Sequence, residues 1–314
     1  MSLEELPGIP KILKTIKGSM LYKSMKNMKF FLALLPLAWL FLFFIIPVMV
    51  ILKISFANAV FGIPPFSEIF KWSANNIIEI TLNIQNYITI MSDSYYAHAF
   101  VNSVTLSFIT TVTCAAFGFV MAYGIRCTRE GLRTPLLLLV SLSFWTSFLI
   151  RVYSWINMLS AHGIVNNFLI KIGLIDEPIH FIGNYCMVCI GLIFCYLPLM
   201  IFPIYSALDK VDRSCIESAW NLGCSISRTF WTLIVPISIN GLKTGCLMVG
   251  TASLAEFVIP ELLGGAGSVT FGRILWTEFF NNLDWPMTCA LSIAMISVFV
   301  IPLFLCKDRE IEGE

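Results

Sequence analysis

The sequence predicts an all-α membrane protein with six transmembrane helices, on three observations. Of 314 residues, 58% are hydrophobic and 12% charged, with mean hydropathy +0.84, whereas soluble domains carry about 25% charged residues. Six apolar runs are each long enough to cross about 30 Å of hydrocarbon as a helix. With the spans drawn from apolarity alone, fifteen of the 20 Lys and Arg fall on one side and five on the other. That imbalance puts both termini in the cytoplasm.

Residues 1–29, with Lys11, Lys14, Lys17, Lys23, Lys26 and Lys29, form a basic cytoplasmic segment suited to anionic lipid. Phe30–Phe56 is the first span. Its apolar stretch is too long for a cleavable signal, and no A-x-A site follows it. The outer stretch Ala57–Ala97, with Ile63-Pro64-Pro65, Trp72 and Tyr95-Tyr96, is long for a connection and suits docking by an extracytoplasmic partner. Phe100–Ile125 is the second span, followed by Arg126, Arg129 and Arg133. Leu136–Trp155 is the third, with Arg151 read as snorkelling to the outer headgroups. Tyr185–Leu208 is the fourth. Ile237–Pro260 is the fifth and the least apolar, carrying Asn240, Lys243 and Glu256; its Gly241 and Gly245 permit close helix approach. Gly264–Trp285 is expected to re-enter the membrane surface. Pro286–Cys306 is the sixth span, and residues 307–314 form a cytoplasmic tail. Residues 30–306 thus make one all-helical membrane domain.

Between the fourth and fifth spans, Lys210–Ile239 is polar and amphipathic. Ser214-Cys215-Ile216-Glu217 reads as a capping box, starting a short helix that presents Ile216, Ala219 and Trp220 on one face. Gly223 stands where a helix ends in a left-handed turn. Ser225 or Ser227 can cap a second short helix, which Pro236 closes or kinks. Two short helices meeting at a glycine outside the bilayer make a projecting knob.

Catalytic and metal chemistry find no support. Cys186 and Cys189 have C-x-x-C spacing without a second pair, and His98, His162 and His180 lack the spacing of a zinc site. The expectation is reduced thiols, no metal and no cofactor. The dipeptide Gly-Lys does not occur, which excludes a Walker A loop. Any ATP that drives this protein is expected to bind another subunit.

Glu217, Ala219, Gly223 and Pro236 fall in the spacing E-A-A-x3-G-x9-I-x-L-P, with Ser218, Leu233 and Val235 replacing Ala, Ile and Leu. The segment resembles the cytoplasmic coupling loop of binding-protein-dependent ABC importer permeases. Glu256 to Gly265, Glu278 to Asn282, Asp284-Trp285-Pro286, Trp145 to Tyr153, Ile63-Pro64-Pro65 and Pro203-Ile204-Tyr205 closely resemble permeases of polyamine importers, above all the putrescine type. That resemblance implies the type I ABC importer permease fold. It also implies a second, similar permease, two ATP-binding cassette ATPase subunits inside and a periplasmic polyamine-binding protein outside. Glu217, Ala219, Trp220, Gly223 and Pro236 are then the ATPase-coupling residues about 209–236. Import of another small solute (an amino acid, thiamine or ferric ion) and a secondary transporter remain the alternatives.

Chemistry is compatible with a cationic cargo. Glu256 lies in an apolar run, where an ionised carboxylate costs about 2.5–3.5 kcal/mol on insertion scales and so faces a water-filled path or a partner. Trp145, Tyr153, Trp155, Trp276 and Trp285 can offer ring faces to an ammonium or form the ordinary interfacial belt. Glu256, Trp145, Tyr153, Asp284 and Trp285 are the candidate path residues. A pair between Glu256 and a neighbouring subunit's Lys or Arg stands beside the path reading.

Overall fold

The computed structural model describes residues 32, 34–60, 62–67, 70–72, 78–80, 82–265 and 268–311. The basic segment 1–29 and the last three residues of the tail lie outside them. Helix α1, Leu34–Ser55, contains a π turn at Phe41–Ile45. Strands β1, Phe70–Trp72, and β2, Ile78–Ile80, pair antiparallel, with Phe70 opposite Ile80. Among the described residues this small hairpin departs from an all-helical chain. Helices α2, Gln85–Ser92, and α3, Ser94–Cys127, follow, with Asp93 capping α3 through the Tyr95 amide. Next come α4, Glu130–Trp145, α5, Phe148–Leu159, α6, Ile164–Lys171, and α7, Tyr185–Asp209. The knob helix α8, Arg213–Asn221, precedes α9, Ile226–Ala255, which contains a π turn at Phe230–Ile234. Two short helices, α10, Val258–Leu263, and α11, Phe271–Trp276, lead to α12, Trp285–Ile311.

Among the described residues four helices, α1, α3, α7 and α9, are long and apolar enough to cross a membrane, or five if the bent pair α4 and α5–α6 counts as one span. The expected third span is broken: Glu130–Trp145 and Phe148–Lys171 meet at 91°. Arg151, expected to snorkel, turns back on the bend instead. Its guanidinium donates to the carbonyls of Ser143 and Thr146, supplying a cation to the open carbonyl end of α4. The fifth span also ends early, at Ala255. Pro260 explains this, because in a continuous helix its ring would strike the carbonyl four residues back, that of Glu256. In α10 it is the third residue, where no amide is needed.

Two compact units divide the described residues: residues up to Asn86 with Trp285–Met295, and Tyr87–Asp284 with Ile296 onward. In the first, the turn after α1 is tied by Asn83, whose amide nitrogen donates to Asn58 Oδ1 at 2.5 Å, and by Asn86, which donates to the carbonyls of Ser55 and Ala57. The Trp285 ring lies 6.2 Å from that of Phe66.

In the second unit α3, α7 and α9 pack pairwise around Cys114, Ala122, Met200, Ile201, Ile204, Leu208 and Val249. Met200 is the fully buried key residue. A Cβ at Gly118 of α3 would lie 2.7 Å from its Cγ, and one at Gly245 of α9 would lie 2.5 Å from its Sδ. Gly241 lies equally close to the Pro203 carbonyl. The G-x-x-x-G pair is therefore the groove that receives α7. A second core, of Leu106, Val152, Val188, Leu192, Ile259 and Leu263, seats α10 against α5 and α7.

Candidate functional site

Two places gather the residues singled out in the sequence: the knob, and the break between α9 and α10. The knob helix α8 begins two residues earlier than the Ser214 capping box predicts. Asp212 is its cap and accepts from the Ser214 amide at 3.3 Å. A carboxylate caps as well as a hydroxyl and adds its charge to the positive helix end. At the other end Cys224 N–H donates to the Ala219 carbonyl at 3.0 Å and Gly223 N–H to that of Trp220 at 2.9 Å, with Gly223 at φ +83. That is a Schellman closure, and it ties the Ala219 and Trp220 carbonyls to the turn at Gly223.

Ser225 caps the next helix through the Arg228 amide at 3.3 Å, as its position suggested. Pro236 does not close that helix, which is α9 itself and runs on to Ala255. The π turn at Phe230–Ile234 ends just before it, with Val235 N–H bonding to the Phe230 carbonyl. The wider turn gives the proline ring room that an α turn lacks.

A pocket of about 280 Å³ lies under the knob, lined by Glu217, Trp220 and Ile216 of α8 and by Tyr123, Arg126 and Arg133. Arg126 is the residue sequence reasoning missed, since it counted there only as an inside charge. Its side chain donates to the carbonyl of Leu208 at 3.3 Å and of Val211 at 2.8 Å, and lies 3.8 Å from Asp209. It thus fastens α3 to the carbonyl end of α7 and to the linker into the knob. On the exposed side, Leu222 and Ile226 are 85% and 73% accessible.

At the break, Glu256 is not inside a helix as expected but in the extended link after α9. Its Oε1 accepts from the amides of Phe257 at 3.1 Å and Val258 at 2.8 Å, and its Oε2 accepts from the Tyr196 hydroxyl. The first turn of α10 supplies both open amides and the positive helix end, so the carboxylate meets its cost within the chain. Gly272 of α11 lies over the freed carbonyls: a Cβ there would stand 2.8 Å from that of Ala255 and 2.9 Å from that of Glu256. One turn on, Trp276 stacks on Phe257 at 4.8 Å and 14°, and the Phe280 ring follows at 4.1 Å.

The other path candidates are scattered. Trp145 and Tyr153 are 82% and 52% exposed on α4 and α5. Asp284 N–H donates to the Glu278 carbonyl at 2.9 Å. The segment Gly264–Trp285, expected to re-enter the membrane surface, forms α11 and a π turn at Thr277–Asn281. Arg273 braces it, meeting Glu261 at 2.5 Å and the Gly265 carbonyl at 2.7 Å. Tyr196 was hidden because a phenol in an apolar span looks like packing.

Broken helices, glycine-lined packing and an exposed capped knob define a transporter's membrane subunit. The chain belongs to the family described as binding-protein-dependent transport system inner membrane component, which matches residues 134–307. Among its relatives is the spermidine/putrescine transport system permease protein PotB of Haemophilus influenzae, 32% identical over 85% of this chain and 89% of that one. PotB of Escherichia coli K12 is 31% identical over 85% of this chain and 92% of its own. Among solved structures, a bacterial ABC transporter involved in import of the acidic polysaccharide alginate matches with TM-score 0.72 at 16% identity, covering 93% of this chain and 98% of that one. The fold is that of an ABC importer permease.

Proposed function

We propose that this protein is the permease subunit of an ATP-driven importer of polyamines, putrescine or spermidine. The kinship with the spermidine/putrescine permeases, which runs along most of both chains, carries this reading. The alginate transporter shares the fold at 16% identity and says nothing of the cargo.

In this reading six spans cross the inner membrane: α1, α3, the bent pair of α4 with α5–α6, α7, α9 and α12. Residues 30–306 form the permease domain, with 1–29 and 307–314 in the cytoplasm. The chain pairs with a second homologous permease, two ATPase subunits and an extracytoplasmic polyamine-binding protein. Glu217, Ala219, Trp220, Gly223 and Pro236 build the contact with the ATPase. The exposed Leu222 and Ile226 give that contact an apolar face, and the Schellman closure at Gly223 gives it a fixed shape. ATP is hydrolysed on the partner subunit.

The cargo stays cationic, because primary amines titrate near pH 10. Glu256, Trp145, Tyr153, Asp284 and Trp285 are its candidate path residues. Of these Glu256 has the best support, as a half-buried carboxylate at a helix break.

Reconstituted vesicles holding the full complex, with ATP on the ATPase side and loaded binding protein outside, test the reading. Accumulation of radiolabelled putrescine or spermidine is expected. Accumulation of neither, from a complex whose ATPase responds to another loaded binding protein, rejects the polyamine assignment.

A further inference from the structure

Glu256 begins a continuous aromatic surface. The next residue, Phe257, stacks on Trp276, and Trp276 meets Phe280. Gly272, Trp276 and Phe280 are four residues apart, so one face of α11 and its π turn lies over the break. Trp276 and Phe280 remain 41% and 53% exposed. The surface is rigidly backed: Phe271 N–H donates to Ser103 Oγ at 2.8 Å, Asn102 to the Val269 carbonyl at 3.3 Å, and Arg273 braces α11 against Glu261.

A carboxylate and two negative dipole ends meet here, beside the amide end of α10 that the carboxylate caps. The last carbonyls of α9 have no helical partners and carry the negative end of its dipole. The Glu256 carboxylate accepts three hydrogen bonds of the roughly four its lone pairs allow, leaving room for one more donor. Ring faces are themselves negative.

We propose that Phe257, Trp276 and Phe280, with Glu256 at their edge, form a contact site for an α,ω-diamine on its way through the permease. One ammonium donates to Glu256. The methylene chain lies on the Trp276 and Phe280 rings, where apolar contact and cation–π attraction act together. A neutral sugar lacks the charge and an anion is repelled, so the site selects for cargo. This rests on the polyamine reading above and deepens it.

Trp276→Leu and Trp276→Phe in the full complex test the site by putrescine uptake, with co-purification of the subunits measuring assembly. Trp276→Leu is expected to assemble and to take up putrescine about 2- to 30-fold more slowly at subsaturating cargo, the span set by one cation–π contact. Trp276→Phe, which keeps a ring, is expected to recover most of the loss. Unchanged uptake by Trp276→Leu overturns the site, and so does loss of assembly in both variants, which marks the rings as an interface with the second permease. No polyamine uptake by the unaltered complex overturns the importer reading and the site with it, whereas normal uptake by both complexes rejects the site alone.

Discussion

At Glu256 the helix cap and the proposed contact with cargo separate by substitution. Glutamine keeps an acceptor for the Phe257 and Val258 amides and a partner for Tyr196 but loses the charge. Alanine loses the cap as well. Glu256→Ala is expected to lower the unfolding free energy of the purified complex by about 0.5–2 kcal/mol, the worth of a helix cap. Glu256→Gln is expected to keep most of that stability and still slow putrescine uptake. Thermal unfolding and uptake measured on both variants check this, and equal uptake by Glu256→Gln and the unaltered protein removes the charge from the mechanism. Gly223 is the second residue of this kind. Nothing stands within 4 Å of a Cβ built there, so backbone strain alone opposes a side chain at φ +83. Gly223→Ala is expected to cost the knob about 1–2 kcal/mol and weaken ATPase coupling. Gly223→Asp, which also puts a charge on the contact, is expected to abolish transport while leaving the protein in the membrane. Transport assays with a membrane-fraction blot decide between them.

Among elements, helix ends and helix contacts follow from proline and glycine. Both long helices with π turns place a proline two residues after the turn, Pro47 in α1 and Pro236 in α9. The wide turn accommodates the ring without ending the helix. Pro260 instead breaks the chain at Glu256, and the liberated carbonyls find Gly272. The pairing of α7 with α9 rests on Gly241. A methyl there would collide with the Pro203 carbonyl, a backbone atom that cannot swing aside. Gly241→Ala is expected to destabilise the complex by about 1–3 kcal/mol through overpacking, whereas Gly131→Ala, where nothing lies within 4 Å, is expected to be neutral. Chemical or thermal denaturation of the two variants in one detergent makes the comparison. Arg126 links elements in the same way. Arg126→Gln removes the cation between the end of α3 and the carbonyls of Leu208 and Val211. It is expected to reduce cargo-stimulated ATP hydrolysis more than assembly, as read by ATPase rate against co-purification.

At the scale of the whole molecule, the proposed topology is testable by labelling. In a cysteine-free background, a cysteine at position 225 is expected to react only from inside and one at position 67 only from outside. The reverse pattern removes the six-span reading. Apolar length placed α7 closely, expected over Tyr185–Leu208 and found over Tyr185–Asp209, because burial in hydrocarbon is decided by composition. It missed the start of α9, which stands at Ile226 and not at Ile237, because the polar first turns of that helix lie outside the apolar run. The knob was legible for a different reason. Gly223 and Ser225 act through their own backbone neighbours, and local geometry is written locally.

What remained hidden depended on distant partners. The bend at Thr146 carries no proline to announce it, and Arg151 could be read as snorkelling until its carbonyl acceptors were in place. Tyr196 reaches Glu256 across 60 residues of chain, and Phe257 reaches Trp276 from the far side of a loop. Sequence by itself determined the membrane class, the capped knob and the family of importers it serves. Only the tertiary structure decided where Glu256 spends its charge and which rings stand beside it, since hydrogen bonds and ring contacts between helices depend on rotation and register that no single helix encodes.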